Sequence, residues 1–371
     1  LRPDSRILFR RGLGEALREL APFLAYDDDP YPVIHRGRIL WVQDAYTATD
    51  RIPYSKPLAI ADPSLEGLNG VNYLRNSVKI TLDAYDGTVR FYLMDPADPL
   101  AATWARVFPG LFRPVSEMPE GLRAHLRYPE GLFEVQSELY RVYHMTDTNT
   151  YYNKEDVWEV SPAGRERRLV PNYVTMKLLG QKRPEFALIV PFMPVGRSNL
   201  IGWMAGRCDP EHYGELVVYQ FPKQKLIFGP PQIEALIDQN PEISAQMSLW
   251  SQRGSDVIRG DLLVVPIGKS LLYVQPLYLK AERGELPELK RVILSTGGRV
   301  VWAETFREAL SLLVGEDVLG GASAKGKRPV PPRSVVSPPK PEDPGVPERG
   351  DLAVRAQELF EQAQQASRSG D

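Results

Sequence analysis

The stretch SVKITLDAYDGTVRFYLMD, residues 77–95, constrains the fold more than any other part of the chain. Val78, Ile80 and Leu82 alternate with Lys79, Thr81 and Asp83. After Asp86-Gly87, Val89, Phe91 and Leu93 alternate with Arg90, Tyr92 and Met94. A period of two belongs to strands, and Asp-Gly supplies the positive φ of a tight hairpin turn. The pattern predicts a hairpin with its aliphatic face buried and its Lys79, Thr81 and Arg90 face in water.

The surrounding segments set the fold class. VIHRGRILWVQDAY, residues 33–46, reads as two strands around an Arg36-Gly37 turn. Ahead of it, Leu13, Leu17 and Leu20 recur at helical spacing, and Pro22 with the run Asp27, Asp28, Asp29 ends that helix. Residues 98–145 switch to helices. Asp98-Pro99 is a cap followed by a first-turn proline, and Leu132, Val135, Leu139 and Tyr143 form a stripe after Pro129. TDTNTYYNKEDVWEV then reads as a polar loop. Strand-like runs return in YVTMKLL, EFALIVPF, ELVVYQF, KLIF, DLLVVPI, LLYVQPLYL, KRVILS and RVVWAE, the last pair turning at Gly297-Gly298. NLIGWMAGRC does not declare its period. TFREALSLLVG is a helix with a Thr305/Glu308 capping box, closed by Gly315.

Strands, then helices, then many strands with few helices between them argue α+β rather than βαβ alternation. The sheets are expected to be largely antiparallel or mixed, with a helical insertion. The expected divisions are 1–97, a strand and hairpin part; 98–150, the helical insertion; and 151–318, a second strand-rich part of the same domain. Residues 319–350 hold eight prolines between Pro329 and Pro347 and read as a Pro-rich linker. Residues 351–371 read as a C-terminal helix, with Leu352, Ala356, Leu359, Phe360 and Ala363 as its apolar stripe.

GPPQIEALIDQNPEIS, residues 229–244, spaces Glu234, Asp238 and Glu242 four apart. The apparent carboxylate stripe dissolves on inspection. Pro241 cannot continue a helix through itself, and Asn240 is a good cap for a new one. Glu242 therefore belongs to a second helix, which leaves Glu234 and Asp238 as a mildly repulsive exposed pair.

Charge and composition narrow the function classes. Lys and Arg number 45 against 47 Asp and Glu, so no global field attracts nucleic acid, and no nucleic-acid partner is expected. The single cysteine, Cys208, permits no intrachain disulfide; without a neighbouring base motif it reads as a structural thiol rather than a nucleophile. No apolar run approaches the ~20 residues that span a bilayer. There is no phosphate-cradling glycine motif and no nucleophile elbow, and His35, His125, His144 and His212 lack zinc-ligand spacing.

Three constellations are candidate sites. Asp27, Asp28 and Asp29 offer loop oxygens suited to calcium, set against a solvated turn that stops the first helix. Glu155, Asp156 and Glu159, beside Tyr151, Tyr152 and Trp158, would suit a glycan, hydrolysed if two carboxylates faced one another across a sugar. Asn72, Arg75 and Asn76 would bind a ligand if exposed, or form a satisfied polar network if buried. No residue is assigned a catalytic role, and calcium is the one cofactor the sequence suggests.

The blocks APFLAYDDDPYPV, WVQDAYTATDRIPYS, NYLRNSVKITLDAYDGTVRFY, YYNKEDVWEV, YGELVVYQFPKQKLIFGPPQIEALIDQNPEIS and GSDVIRGDLLVVPIGKSLLYVQPLYLKAE together resemble uncharacterised protein family 0182. The resemblance runs from about Pro3 to Gly315. It implies a large bacterial multi-pass membrane protein, with N-terminal spans followed by a large extracytoplasmic domain, of which this chain would be the latter. The expected localisation is therefore the cell membrane, with this part outside the cytoplasm. The expected partners are its own transmembrane region and other envelope or membrane proteins. The expected role is a non-catalytic module for envelope organisation, assembly or transport. The rivals are an envelope-active carboxylate hydrolase of glycans and a calcium- or glycan-binding module. The family resemblance assigns no catalytic residues, and the oligomeric state is not readable.

Overall fold

A computed structural model describes residues 12–59, 67–163, 167–168, 171–222, 224, 226–251, 255–267, 270–281 and 286–315. The Pro-rich linker and the C-terminal helix expected at 319–350 and 351–371 lie outside the described residues. Helix α1 (Leu13–Leu20) leads into β1 (Ala25–Tyr26), β2 (Tyr31–His35), β3 (Arg38–Thr49), β4 (Tyr73–Asp83) and β5 (Val89–Leu93). Then come α2 (Pro99–Val107), β6 (Phe112–Pro114), α3 (Glu120–Arg123), α4 (Glu130–Tyr143) and α5 (Thr148–Asn153). All six of these strands form one sheet. Five strands run β1-β3-β4-β5-β6, and β2 also pairs with β3. Every pairing is antiparallel except β5 with β6, which is parallel.

The hairpin forms as its alternation demands, with Gly87 at φ 72°. Arg38 clamps its end: Nε donates to Asp83 at 2.6 Å and Nη2 to Asp86 at 2.7 Å. That guanidinium and the surrounding N–H groups hold the Asp83 carboxyl down at about 2. The expected wet face is not wet. Val78 and Ile80 pack with Leu17, Ala45 and Phe91 on one side. On the other, Lys79 and Thr81 are as fully buried as their neighbours. Met118, Leu122 and Leu126 pack with Tyr31, Val42 and Tyr92 on that second face. Alternation marks which residues share a face; whether water reaches that face depends on what later chain covers it.

The second sheet comprises β7 (Trp158–Val160), β10 (Asn172–Met176), β11 (Glu185–Pro194), β12 (Gly202–Arg207) and β13 (Leu216–Gln220). The short pair β8 (Pro162–Ala163) and β9 (Arg167–Arg168) precedes β10. Strand order is β10-β11-β12-β13, with β7 also on β11. The ambiguous NLIGWMAGRC resolves as the central strand β12, buried along its whole length. Buried Arg207 holds Glu185 in a fork, at 2.7 and 2.6 Å. After the bridge at Phe228 come α6 (Pro230–Gln239) and α7 (Pro241–Ser251). Of the KLIF run, the described residues Leu226, Ile227 and Phe228 make that isolated bridge rather than a strand. The third sheet holds β14 (Ser255–Arg259), β15 (Leu263–Ile267), β16 (Ser270–Ala281), β17 (Glu288–Thr296) and β18 (Arg299–Ala303), and α8 (Phe306–Val314) packs on it. α8 carries the expected Thr305/Glu308 capping box and Gly315 stop.

Two further expectations change. TDTNTYYNKEDVWEV is not a loop: Asp147 caps α5 by accepting from the Asn149 and Thr150 N–H groups, and Lys154 closes the helix at φ 54°. On α4, Leu139 and Tyr143 are exposed, while Gly131, Phe133, Val135 and Ser137 are buried. The helix lies between the first two sheets, so one stripe cannot describe its contacts. The α6–α7 corner is as expected, with Asn240 Oδ1 accepting from the Glu242 and Ile243 N–H groups.

Candidate functional site

The densest set of buried ionisable groups gathers where the first sheet, the α3–α4 segment and the second sheet meet. Register places Asp44 on β3 directly opposite Lys79 on β4. Both side chains are sealed from solvent and form an ion pair. Burial pushes the Asp44 carboxyl above its ordinary value, against the pull of the Lys79 ammonium. The ammonium also donates to the Arg127 carbonyl at 2.8 Å and lies 5.2 Å from the centre of the Tyr213 ring. Tyr213 in turn donates to the same carbonyl at 3.0 Å. Strands β3 and β4, the loop before α4, and the turn between β12 and β13 are thus tied at one point.

Asp27 extends the network. Its carboxylate accepts from the Tyr46 hydroxyl and from the Gly131 N–H at 3.0 Å. Pro129 caps α4 without any side-chain bond, so Asp27 supplies from another element the anion that a helix start favours. Gln43 donates to the Asp27 carbonyl at 2.6 Å. Towards solvent, the Arg127 guanidinium stacks over Tyr31 at 4.3 Å and Tyr173 at 5.2 Å, and reaches Asp29 at 3.8 Å. Glu130, half-buried at the start of α4, is pushed up to about 7 by burial and then by Asp29, Asp27 and Glu134, against Arg127. Cys208 is buried here too, accepting from the Tyr128 N–H at 3.3 Å; burial lifts its thiol to about 11. A thiol so raised is a poor nucleophile at neutral pH.

The sequence candidates fall as follows. Asp27 turns inward, Asp28 is exposed, and Asp29 donates its N–H to Asp27 Oδ1 at 3.0 Å while its carboxylate faces Arg127. Among the described residues, no group of three or more His, Cys, Asp or Glu is arranged to hold a metal ion. Asn72 braces the loop before β4, donating to the Ile52 carbonyl at 2.8 Å and accepting from its N–H at 3.1 Å. Arg75 pairs with Asp95 at 2.6 Å, and Asn76 donates to the Ala45 carbonyl at 3.2 Å. Glu155 accepts from Asn153 at 3.0 Å, Asp156 faces His144 at 4.0 Å, and Glu159 sits on β7. Asp27 meets α4 at Gly131, whereas Asp156 meets His144 just past its last turn. Thirteen residues of rise separate the two ends by roughly 20 Å. That span exceeds the ~5–9.5 Å between the paired carboxyls of a glycosidase, so the structure does not bring the 27–29 and 155–159 groups together.

The sequence reading missed Lys79, Asp44, Tyr46, Arg127 and Glu130. Charged residues inside otherwise apolar runs, WVQDAY and SVKIT, were the available signal.

These features define an α+β module of three sheets, its first two joined by a buried lysine–carboxylate network. The chain belongs to the Uncharacterised protein family (UPF0182), whose model matches residues 1–250. A UPF0182 protein of Methanospirillum hungatei is 47% identical over 374 residues, covering 100% of this chain and 40% of its own length. One from Desulforamulus reducens is 48% identical over 373 residues, 99% of this chain and 39% of that protein. One from Bradyrhizobium diazoefficiens is 53% identical over 317 residues, 84% and 33% respectively. The chain thus spans well under half the length of these relatives. No solved structure matches it.

Proposed function

We propose that this chain is a non-catalytic module of a multi-pass membrane protein, standing on the extracytoplasmic side and presenting a rigid surface for interaction or assembly in envelope organisation or transport. The observation that carries this reading is how the buried charges are used. Lys79, Asp44, Asp27 and the Arg127 carbonyl meet one another, the backbone, or the hydroxyls of Tyr46 and Tyr213. Such a network fixes the relative placement of two sheets and suits a platform. The membrane part of the reading is supported by the relatives, whose larger share lies outside the matched stretch, and by the family resemblance. No helix among the described residues is long and apolar enough to cross a membrane. The partners are then the rest of the same protein and other envelope or membrane proteins.

Two measurements on the full-length protein test this. Tyr152, 87% exposed on α5, is a site for a reporter cysteine, since Cys208 is buried. Tyr152→Cys should react with a membrane-impermeant maleimide in intact cells; labelling only after lysis overturns the extracytoplasmic placement. Crosslinking in the native membrane should recover defined membrane or envelope partners. Turnover of an envelope glycan, abolished by substitutions at Glu155, Asp156 and Glu159, overturns the non-catalytic reading.

A further inference from the structure

A second polar arrangement lies at the far end of α4, outside the network above. His144 follows the last turn of the helix, and its side chain is only 4% exposed. Its ring stacks on Trp158 at 3.8 Å between centroids, with Tyr140 beside both. Nδ1 lies 3.0 Å from the Tyr140 carbonyl. A carbonyl oxygen only accepts, so the ring hydrogen belongs on Nδ1. In the neutral ring, Nε2 is then a bare lone pair. It is buried, has no hydrogen-bond donor among the described residues, and faces the Asp156 carboxylate at 4.0 Å. Two acceptors facing one another are unfavourable unless a hydrogen donor or a cation lies between them. The Trp158 indole nitrogen in the same stack also lacks a partner among the described residues.

We propose that His144 Nε2 and Asp156 together bind a divalent transition-metal ion of the zinc class, with water completing the coordination. An imidazole whose other nitrogen is tied to a backbone carbonyl is the usual form of a metal-ligating histidine, because the carbonyl fixes both tautomer and ring orientation. Neutral nitrogen and carboxylate oxygen suit zinc better than calcium, which takes oxygen alone. The spacing fits. Bonds of about 2.0–2.2 Å from one ion place two donors about 3.4 Å apart at a tetrahedral angle. The observed 4.0 Å closes to that with a small rotation of Asp156, whose side chain is 36% exposed and open to solvent. The ion would link the end of α4 to the segment that enters β7. With two protein donors, the site is suited to weak or regulatory binding rather than to a buried structural metal.

Titration of the full chain with zinc chloride at pH 7.5, followed by calorimetry, tests the proposal. One equivalent should bind, and His144→Gln and Asp156→Asn should each weaken binding about tenfold or more. Cobalt should give a visible d–d absorption band in the wild type that both variants lose. Glu155→Gln, whose carboxylate is exposed and held by Asn153, should bind as the wild type does. His212 lies 3.4 Å from Glu215 in an exposed pair, which makes His212→Gln the control for surface binding. Absence of saturable binding overturns the proposal. So does binding that survives Asp156→Asn, or that is lost in His212→Gln instead. Asp156 lies at the surface, so its variant keeps the test decisive if His144→Gln fails to fold.

Discussion

Lys79 shows what one covered side chain does to the energetics of this fold. An ammonium with no exposed surface is tolerated because Asp44 and the Arg127 carbonyl meet it. Removing one partner strands the other. Lys79→Met should cost about 3–5 kcal/mol, read from the urea midpoint, by leaving Asp44 as an uncompensated buried charge. Adding Asp44→Leu should recover most of that loss, because a well-packed apolar pair often replaces a buried ion pair without penalty. A double variant no more stable than the single would mean that the pair itself contributes the stability. Glu130 gives a prediction of opposite sign. Its carboxyl is raised from 4.5 to about 7, so between those values the folded chain holds a proton that the unfolded chain has released. Stability should therefore fall as pH rises through that window. Glu130→Gln should be the more stable protein at pH 8, by on the order of 1 kcal/mol once solvent screening of a half-exposed group is allowed for, and the gap should close by pH 4.5. Neither role was legible in the sequence. Period-two alternation put Lys79 on the face opposite Val78 and Ile80, and that was right. It carried no information on whether α3 and the α3–α4 loop would return to cover that face.

At the scale of elements, local chemistry was readable wherever the signal sits within a few residues. The Asp86-Gly87 turn, the Asn240 break between α6 and α7 and the Thr305/Glu308 box all stand as the sequence implies. Asp238, read as half of a repulsive pair, instead meets Arg259 from β14, a partner 21 residues away that no local pattern reveals. The missed helix α5 teaches the reverse. Its Asp147 cap was visible in the sequence, but its six residues, four polar and two adjacent tyrosines, show no apolar period. Asp98 combines both scales. It caps α2 through the Leu100 and Ala101 N–H groups, as its place before Pro99 suggests. It also accepts from Thr47 at 2.5 Å, Ser77 at 2.7 Å and Tyr73 at 2.6 Å on the adjoining strands. Burial alone would raise its carboxyl, and these donors more than offset that, holding it below the ordinary value. Because its folded value is depressed, its contribution is full above the unfolded value and is lost as pH falls through the folded one. Asp98→Ala should cost about 2–4 kcal/mol at pH 7, from the lost cap and the three hydroxyls that lose their carboxylate acceptor. Its deficit against the wild type in a thermal melt should shrink below pH 4. A deficit that does not change with pH would show that the uncharged acid holds the site equally well.

Across the described residues, the two junctions between sheets differ in their buried polar bonds. The second and third sheets meet through aliphatic and aromatic side chains, Met193, Leu200, Ile233, Ile237, Leu271 and Tyr273 among them. Such a contact is non-directional and tolerates small shifts. The first and second sheets pack on α4 through Val135 and Phe133, and are tied in addition by directional bonds: Lys79 to the Arg127 carbonyl, Tyr213 to the same carbonyl, Tyr173 to the Tyr128 carbonyl at 2.6 Å, and Asp27 to the start of α4. The order of strand runs disclosed α+β but not this difference, since a seam between distant segments leaves no local pattern in either. If the polar seam couples the two sheets, they open as one cooperative unit. Hydrogen exchange followed by mass spectrometry, under mild denaturant, should then show Lys79→Met losing protection both in peptides covering β3 and β4 and in those covering β11 and β12. The strands β16 and β17, beyond the apolar contact, should lose less. Loss confined to β3 and β4 would mean that the seam positions the sheets without coupling their stability. A platform that must hold its shape against a partner requires the coupled behaviour, so this measurement also bears on the proposed role.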